Sequence, residues 1–133
     1  MRSVVLAFFT TAVLAGCAST NPGVPDMQED IPVPQGFSRA PDNEETKSYW
    51  EKQATFRLYR VSYDGKAKAG DTTTFYQQQM PKNGWTQETA TPDARGGGAM
   101  LSFLKDSERC KIWTKQRPDD ETTRVTVEIG YSK

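Results

Sequence analysis

The alternation of apolar and polar residues between positions 100 and 130 constrains the fold more than any other feature of the sequence. Turn sequences at 105–108 and 118–121 divide this stretch into three segments that can pair as successive hairpins. The two turns place these apolar or nearly apolar pairs on one face: Phe103 with Cys110, Leu101 with Ile112, Cys110 with Ile129, Ile112 with Val127, and Thr114 with Val125. Because two independent turns agree, we predict an antiparallel sheet covered on one face only.

The same registers place a largely polar set on the opposite face. Its members are Met100, Ser102, Lys111, Trp113, Lys115, Arg124, Thr126 and Glu128. Trp113 with Met100, Lys111, Lys115 and Arg124 forms a candidate binding surface, since tryptophan and arginine are frequent hot-spot residues. Such a surface suits an anionic or sugar-containing polymer, a lipid headgroup or a protein. The alternatives are that the N-terminal tether or residues 47–50 cover Trp113, or that it stacks on Met100 while Lys111 pairs with Glu128.

The segments before this region predict one helix and further strands. Residues 55–63 are rich in aromatic and β-branched side chains and predict a strand that ends in a turn at 64–65 and pairs with a short strand at 47–50. Apolar side chains at helical spacing predict a helix of about three turns over 70–80. Pro81 and the Asn83-Gly84 dipeptide end that helix.

These elements, with a strand from Trp85 to about Thr89, define the expected fold class. We expect an α+β protein with a two-layer sandwich, in which one helix packs on an antiparallel sheet of five or six strands. The folded domain is assigned to residues 37–133, and the sequence has no internal repeat.

The absence of histidine restricts the chemistry that the chain can perform. It excludes Ser–His and Cys–His catalysis and the common zinc sites. The register points Cys110 into the core, where a thiol is packing, although a reactive or partner-linking thiol is the alternative. A hydrolase or transferase would need a carboxylate pair such as Glu88 with Asp93. We therefore expect a protein that is not an enzyme.

Two further motifs have residue types that occur in ligand sites. Residues 119–121 (Asp-Asp-Glu) could attract a divalent cation, but they lack the ligand spacing of a calcium loop, and a solvated turn is the favoured interpretation. The three glycines at 96–98 lack the Lys-Ser/Thr ending of a phosphate-binding loop and indicate a flexible connection. We expect neither a cofactor nor a metal ion.

The first sixteen residues have the order of a secretory signal. Arg2 precedes an apolar run over residues 4–14, and small residues at Ala15 and Gly16 lead to Cys17. The apolar run has eleven residues, whereas a helix that spans a bilayer needs about 20. Removal of this segment as a signal peptide is therefore favoured over retention as a transmembrane helix.

The tetrapeptide Leu14-Ala15-Gly16-Cys17 resembles the lipobox of bacterial lipoproteins. The resemblance implies cleavage between Gly16 and Cys17, a diacylglyceryl group on the cysteine sulfur, and usually a further acyl chain such as palmitate on the new amino terminus. Acyl chains would then make the membrane a partner of the mature protein. In enteric lipoproteins an aspartate after the cysteine favours the inner membrane, so Ala18 implies the periplasmic face of the outer membrane. The alternative is an ordinary signal in which Cys17 is incidental.

Residues 17–36 predict a proline-rich acidic tether, although the apolar run 31–34 could instead dock on the domain as an edge strand. Residues 18–46 contain six acidic residues and one basic residue, whereas residues 47–133 contain eleven acidic and fifteen basic residues. The bases are scattered and do not form the basic stripe of a nucleic-acid-binding protein, so nucleic acid is not an expected partner.

A second resemblance covers residues 31–131. It is carried by Tyr63-x-Gly65, Phe75-Tyr76, Met80-Pro81 and Asn83-Gly84-Trp85, which are similar to a group of small uncharacterised domains in secreted bacterial lipoproteins. This resemblance implies a fold and a location but no activity. We expect a non-catalytic binding or structural module of the cell envelope, with an envelope protein or polymer as partner. An accessory subunit of a larger envelope complex and a carboxylate-based hydrolase are the alternatives.

Overall fold

A computed structural model describes Pro25 and residues 28–94, 97–119 and 121–133. The predicted signal peptide and Cys17 lie outside the described residues. The elements are β1 (Phe37–Arg39), β2 (Tyr49–Lys52), β3 (Arg57–Lys66), α1 (Ala69–Gln79), a 3-10 turn (Pro81–Asn83), β4 (Thr86–Pro92), β5 (Ala99–Lys105), β6 (Glu108–Gln116) and β7 (Thr122–Tyr131).

The strands form one antiparallel sheet in the order β1-β3-β7-β6-β5-β4, and β2 also pairs with β3. β1 pairs with the end of β3, where Phe37 lies opposite Gly65, and β2 pairs with its beginning, where Tyr49 lies opposite Arg60. The α+β fold with one helix on an antiparallel sheet is confirmed. The described residues contain seven strands rather than five or six, because two short strands share the outer edge of β3.

Both predicted hairpin registers are confirmed. Phe103 lies opposite Cys110, and Cys110 lies opposite Ile129. The face that carries these residues, the inner face, is buried, and α1 packs on it over β5, β6 and β7. The largest fully buried side chains are Trp85, Tyr59, Tyr76, Phe103, Met80, Leu101, Ile112, Ile129, Val61, Val125 and Val127.

Helix α1 begins and ends close to the predicted positions. Its first backbone N–H groups lack a local side-chain cap, but the N–H of Ala69 donates to Oε1 of Gln116 in β6 at 2.8 Å. The helix is followed by the 3-10 turn, which Gly84 ends with a left-handed φ of 86°. With 11 residues α1 falls well short of a membrane span, and no other helix in the described ranges is long and apolar enough.

The turn predicted at residues 64–65 is wrong, because β3 continues through both residues to Lys66. Gly65 lies directly opposite Phe37, and a Cβ atom on Gly65 would overlap the Phe37 ring. Glycine is therefore needed here for the close approach of an aromatic side chain within a strand, not for a chain reversal.

Residues 28–36, here called the N-terminal strap, complete the cover of the inner face. Ile31 is buried and Val33 packs against the core. Just before the strap, the carbonyl of Pro25 accepts a hydrogen bond from the Tyr59 hydroxyl of β3 at 3.3 Å. The strap makes only an isolated bridge between Gln28 and Ile31 instead of an edge strand. Packed structure thus begins ahead of residue 37, inside the segment predicted as tether.

An ion-pair network fastens the strap to the sheet. The Asp30 carboxylate accepts hydrogen bonds from Arg57 Nη1 at 2.8 Å, Arg57 Nη2 at 3.0 Å and Lys105 Nζ at 2.9 Å. Nε of Arg57 donates to Glu108 Oε1 at 2.8 Å, and the Asp30 carbonyl accepts from Trp85 Nε1 at 3.1 Å. The side chains of Asp30 and Arg57 are each 18% exposed, so the pair is only weakly screened by water.

The pKa values of this network follow from its geometry. Burial raises the pKa of Asp30, but the hydrogen bonds and charges of Arg57 and Lys105 outweigh that effect and lower the pKa to about 2. The hydrogen bond to Glu108 raises the pKa of Arg57, so its guanidinium stays charged at every pH at which the protein folds.

The Asp30 carboxylate therefore links stability to pH. Its pKa is lower in the folded than in the unfolded chain, so its contribution is complete above about pH 4 and is lost as the pH falls toward 2. We expect Asp30→Asn to lower the free energy of unfolding at pH 7 by about 2 kcal/mol, below the ~3–5 kcal/mol of fully buried pairs. Urea unfolding at pH 7, 4 and 2 measures this difference.

The control is Glu29→Gln, which removes the same charge from an exposed neighbour. It should change stability by less than about 0.5 kcal/mol at each pH. An Asp30→Asn deficit as large at pH 2 as at pH 7 would contradict the network's role.

Candidate functional site

The outer face of the sheet carries the residues that were predicted as a binding surface. Trp113 lies opposite Met100 on β5, and Lys111 and Lys115 flank it two residues away on β6. Arg124 lies opposite Lys115 on β7. The two lysines are exposed, whereas Trp113 and Met100 are half-buried. The structure thus brings all five predicted residues together on one face.

Trp113 stands between two clefts. The β7 cleft has a volume of about 260 Å³ and is lined by Glu45, Arg60, Trp113, Lys115, Arg124 and Thr126. The β5 cleft has a volume of about 230 Å³ and is lined by Thr91, Pro92, Asp93, Ala99, Met100, Trp113, Thr114 and Lys115. Because Trp113 and Lys115 line both clefts, one ligand could contact both side chains from either side of the indole ring.

Arg124 differs from its predicted role as a free cation of this surface. Its relative exposure is 9%, and its Nε and Nη2 atoms donate to the two carboxylate oxygens of Asp64 at 2.8 and 2.7 Å. Nη1 donates to Glu45 at 3.0 Å. These bonds, first of all that to Asp64, raise the pKa of Arg124. The charge of Arg124 is therefore neutralised within the sheet, because β3 pairs with β7 and places Asp64 directly opposite Arg124.

Neither the strap nor β2 covers Trp113, although Glu45, in the loop before β2, lines the β7 cleft beside it. The strap packs on the inner face, and β2 pairs with β3, which is separated from β6 by β7. Glu128 pairs with Arg60 at 2.7 Å rather than with Lys111. Within the described ranges neither Lys111 nor Lys115 forms a salt bridge, so both charges face solvent beside the indole.

Cys110 and Glu88 are held in positions that do not suit catalysis. Cys110 is fully buried, and burial raises the pKa of its thiol far above the usual range. The Glu88 carboxylate accepts hydrogen bonds from Arg109 Nε and Nη2, both at 3.1 Å, and from the Ser102 hydroxyl at 3.0 Å. These bonds, with that of Arg109 largest, lower the pKa of Glu88, which is the opposite of what a general acid requires.

The acidic turn and the glycine loop also lack a ligand geometry. Asp119 accepts the backbone N–H groups of Glu121 and Thr122 at 3.0 and 2.8 Å, as in a hydrogen-bonded turn, and Asp120 lies outside the described residues. Among the residues that the structure describes, no three potential His, Cys, Asp or Glu metal ligands cluster. Gly98 packs against the Thr114 carbonyl, where a Cβ atom would overlap it, and Gly96 is also outside the described residues.

The ion-pair network of the strap was not foreseen from the sequence. Two clefts of about 310 and 410 Å³ flank it, and Asp30, Arg57 and Lys105 line both. These three residues are 27 to 75 positions apart, and no local pattern connects them. The apolar run 31–34 was the one sequence signal that pointed to docking of this segment.

Comparison with protein-family models identifies the domain. The model of the family described as START domain-like matches residues 40–128, which is more than half of the chain. The chain belongs to the START domain-like family. The match runs from the residue after β1 into β7, so it includes the helix and most of the sheet but not the strap. Domains of this family are generally ligand-binding modules rather than enzymes. Searches of curated proteins and of solved structures gave no significant match.

The burial of Cys110 gives a direct test of the inner face of this START domain-like domain. In a chain with Cys17→Ala, Cys110 is the only thiol. We expect its reaction with a disulfide reagent at pH 8 to be at least about 100-fold slower in buffer than in 8 M urea, because only opened molecules react. The rate is followed by absorbance of the released thiolate. A native rate close to the urea rate would contradict the core position of Cys110.

Proposed function

We propose that the protein is a membrane-anchored lipoprotein of the bacterial cell envelope, in which the START domain-like domain serves as a non-catalytic binding module. Family membership supports the binding role. The observation that carries the proposed site is the position of Trp113, half-buried between two clefts on the outer face, with the exposed Lys111 and Lys115 on either side of it along β6. The lipobox resemblance at residues 14–17 supports the anchor.

The anchor restricts the distance between domain and membrane. If Cys17 carries the lipid and the strap begins at residue 28, ten residues separate the two. Even fully extended, ten residues span at most about 35 Å. Two or three acyl chains would make this attachment effectively permanent. The binding module would therefore act within a few tens of ångströms of its membrane.

The course of the strap supports a binding role for the outer face in particular. The strap packs on the inner face, where Ile31 is buried and the Pro25 carbonyl contacts Tyr59. Pro25, the described residue nearest to Cys17 in the sequence, thus lies on the side of the sheet opposite Trp113. An anchored domain of this form could keep its outer face available to other molecules.

Ala18, by analogy with enteric lipoproteins, favours anchoring at the periplasmic face of the outer membrane.

An accessory subunit of an envelope complex is the second candidate, and strand β4 favours it. All residues of Thr86–Pro92 are exposed, and β4 pairs with β5 on one side only. An open edge can add a strand from another protein. The β-bulge between Gln87 and Thr89 shortens the regular part of that edge, so a docked strand would be short.

Lipidation is tested by growing cells with radiolabelled palmitate. We expect the wild-type chain to incorporate the label and the Cys17→Ala chain to incorporate none and to stay uncleaved. The reason is that the cysteine sulfur is the atom acylated before cleavage in bacterial lipoproteins. Cys110→Ala is the matched control and should be labelled normally. Labelling or cleavage of Cys17→Ala before residue 17 would disprove the anchor.

The binding face is tested by a photoreactive amino acid placed at position 113 in intact cells. We expect adducts from position 113 and none from position 82, an exposed residue in the 3-10 turn on the helix side. A single protein captured in high yield would favour the subunit role, whereas a polymer adduct would favour ligand binding. The same crosslinked adducts from positions 113 and 82 would contradict the outer face as the binding surface.

A further inference from the structure

Strand β6 presents a regular charged and aromatic strip on the outer face. Lys111, Trp113 and Lys115 alternate along one strand, so their side chains leave the same face of the sheet. Alternate residues of a strand are about 6.7 Å apart, which places the two lysines roughly 13 Å apart with the indole midway. The strip is therefore an extended recognition element rather than a point charge.

The two lysines differ from the other cations of this face, which are held in ion pairs within the sheet. Arg60 pairs with Glu128 at 2.7 Å, Arg109 with Glu88 at 3.1 Å, and Arg124 with Asp64 at 2.7 Å. Each of these pairs is intramolecular and leaves little charge for a ligand. Lys111 and Lys115 make no salt bridge to any residue that the structure describes. These two cations lie on both sides of Trp113, and Lys111 is close enough to Glu88 to help lower the pKa of that carboxyl.

Trp113 adds an apolar surface and a polar donor to this strip. Its ring borders the β7 cleft of about 260 Å³ and the β5 cleft of about 230 Å³, and Met100 continues the apolar wall. The indole N–H makes no hydrogen bond to a described residue. Thr126 lines the β7 cleft, and Thr91 lines the β5 cleft. Each cleft thus offers an aromatic side chain for the C–H groups of a sugar ring and a lysine for its polar groups, beside one carboxylate, Glu45 or Asp93.

We propose that the strip Lys111–Trp113–Lys115 is a binding site for an anionic glycan. A sugar ring packs against the indole of Trp113, and carboxylate or phosphate groups of the neighbouring sugars pair with Lys111 and Lys115. This inference rests on the proposed function, because it names the class of ligand that the outer face of the binding module takes. Because the strip carries two lysines, it favours a negatively charged ligand. Because the lysines are roughly 13 Å apart, a ligand that reaches both needs more than one sugar.

The position of the strip favours a glycan over an extended peptide. β6 lies between β5 and β7, so its backbone N–H and C=O groups are already paired on both sides. A peptide cannot add there as a strand and would have to bind through side chains alone. Sugars need no backbone partner, since ring stacking and side-chain hydrogen bonds are sufficient for them.

A membrane surface is disfavoured by the position of the strap. The strap packs on the inner face, with Ile31 in the core, while the strip lies on the outer face. A domain attached through the strap would need to turn over to place Lys111 and Lys115 on the bilayer that holds its own lipid. The glycan therefore fits the strip better than the headgroups of that bilayer.

The test uses the full lipoprotein in detergent micelles and a polygalacturonate oligomer as the anionic glycan. Binding is followed by tryptophan fluorescence and by calorimetry, with dextran as the neutral comparison. We expect the Kd to rise at least about tenfold in Lys111→Gln/Lys115→Gln and in Trp113→Ala, and dextran not to bind. The matched control Lys82→Gln/Lys133→Gln removes two exposed charges that line neither cleft and should change the Kd less than twofold.

Several results would overturn the site. Equal weakening by the control pair would mean non-specific charge attraction. Tighter binding of phosphatidylglycerol vesicles, or of polyglutamate, through the same three residues would replace the glycan by a membrane surface or an acidic peptide. If polygalacturonate does not bind while position 113 still yields a specific crosslink in cells, this inference fails and the proposed function stands. If neither is observed, both fail.

Discussion

Burial of one face of a seven-stranded sheet is the constraint on which the rest of the structure depends. Helix α1 has only 11 residues and covers β5, β6 and β7. The remaining inner-face side chains of β3, including Tyr59 and Val61, are nevertheless almost fully buried. The strap supplies the missing cover through Ile31. A segment with the composition of a linker thus becomes part of the core because the helix is too short for the sheet.

The strap is held in place by charge as well as by apolar contact. Arg57 lies between Asp30 of the strap and Glu108 of β6, and Lys105 adds a second cation to Asp30. Because these groups are largely shielded from water, each needs its partner, and loss of one leaves another uncompensated. The family model begins at residue 40, after the strap. The strap therefore joins the family domain to the predicted anchor.

The inner face of the sheet is covered, whereas the outer face carries polar and charged side chains. Cross-strand ion pairs neutralise Arg60, Arg109 and Arg124. Most of the positive charge of that face is therefore balanced by neighbouring carboxylates. The central strand is the exception, with Lys111 and Lys115 on either side of Trp113. A rigid sheet held by a full core presents these side chains in a fixed array, which is what a recognition surface requires.

The sequence by itself determined the parts of this protein that depend on local order. The registers of β5, β6 and β7, the burial of Cys110 and the bounds of α1 follow from turns and periodicity within a few residues. The proposed lipid anchor also rests on the sequence alone. Only the tertiary structure decided that β3 pairs with β7, that Arg124 is neutralised by Asp64, and that Gly65 accommodates Phe37. Such contacts join residues far apart in the chain, and their energy depends on burial and geometry that arise only when the sheet is assembled.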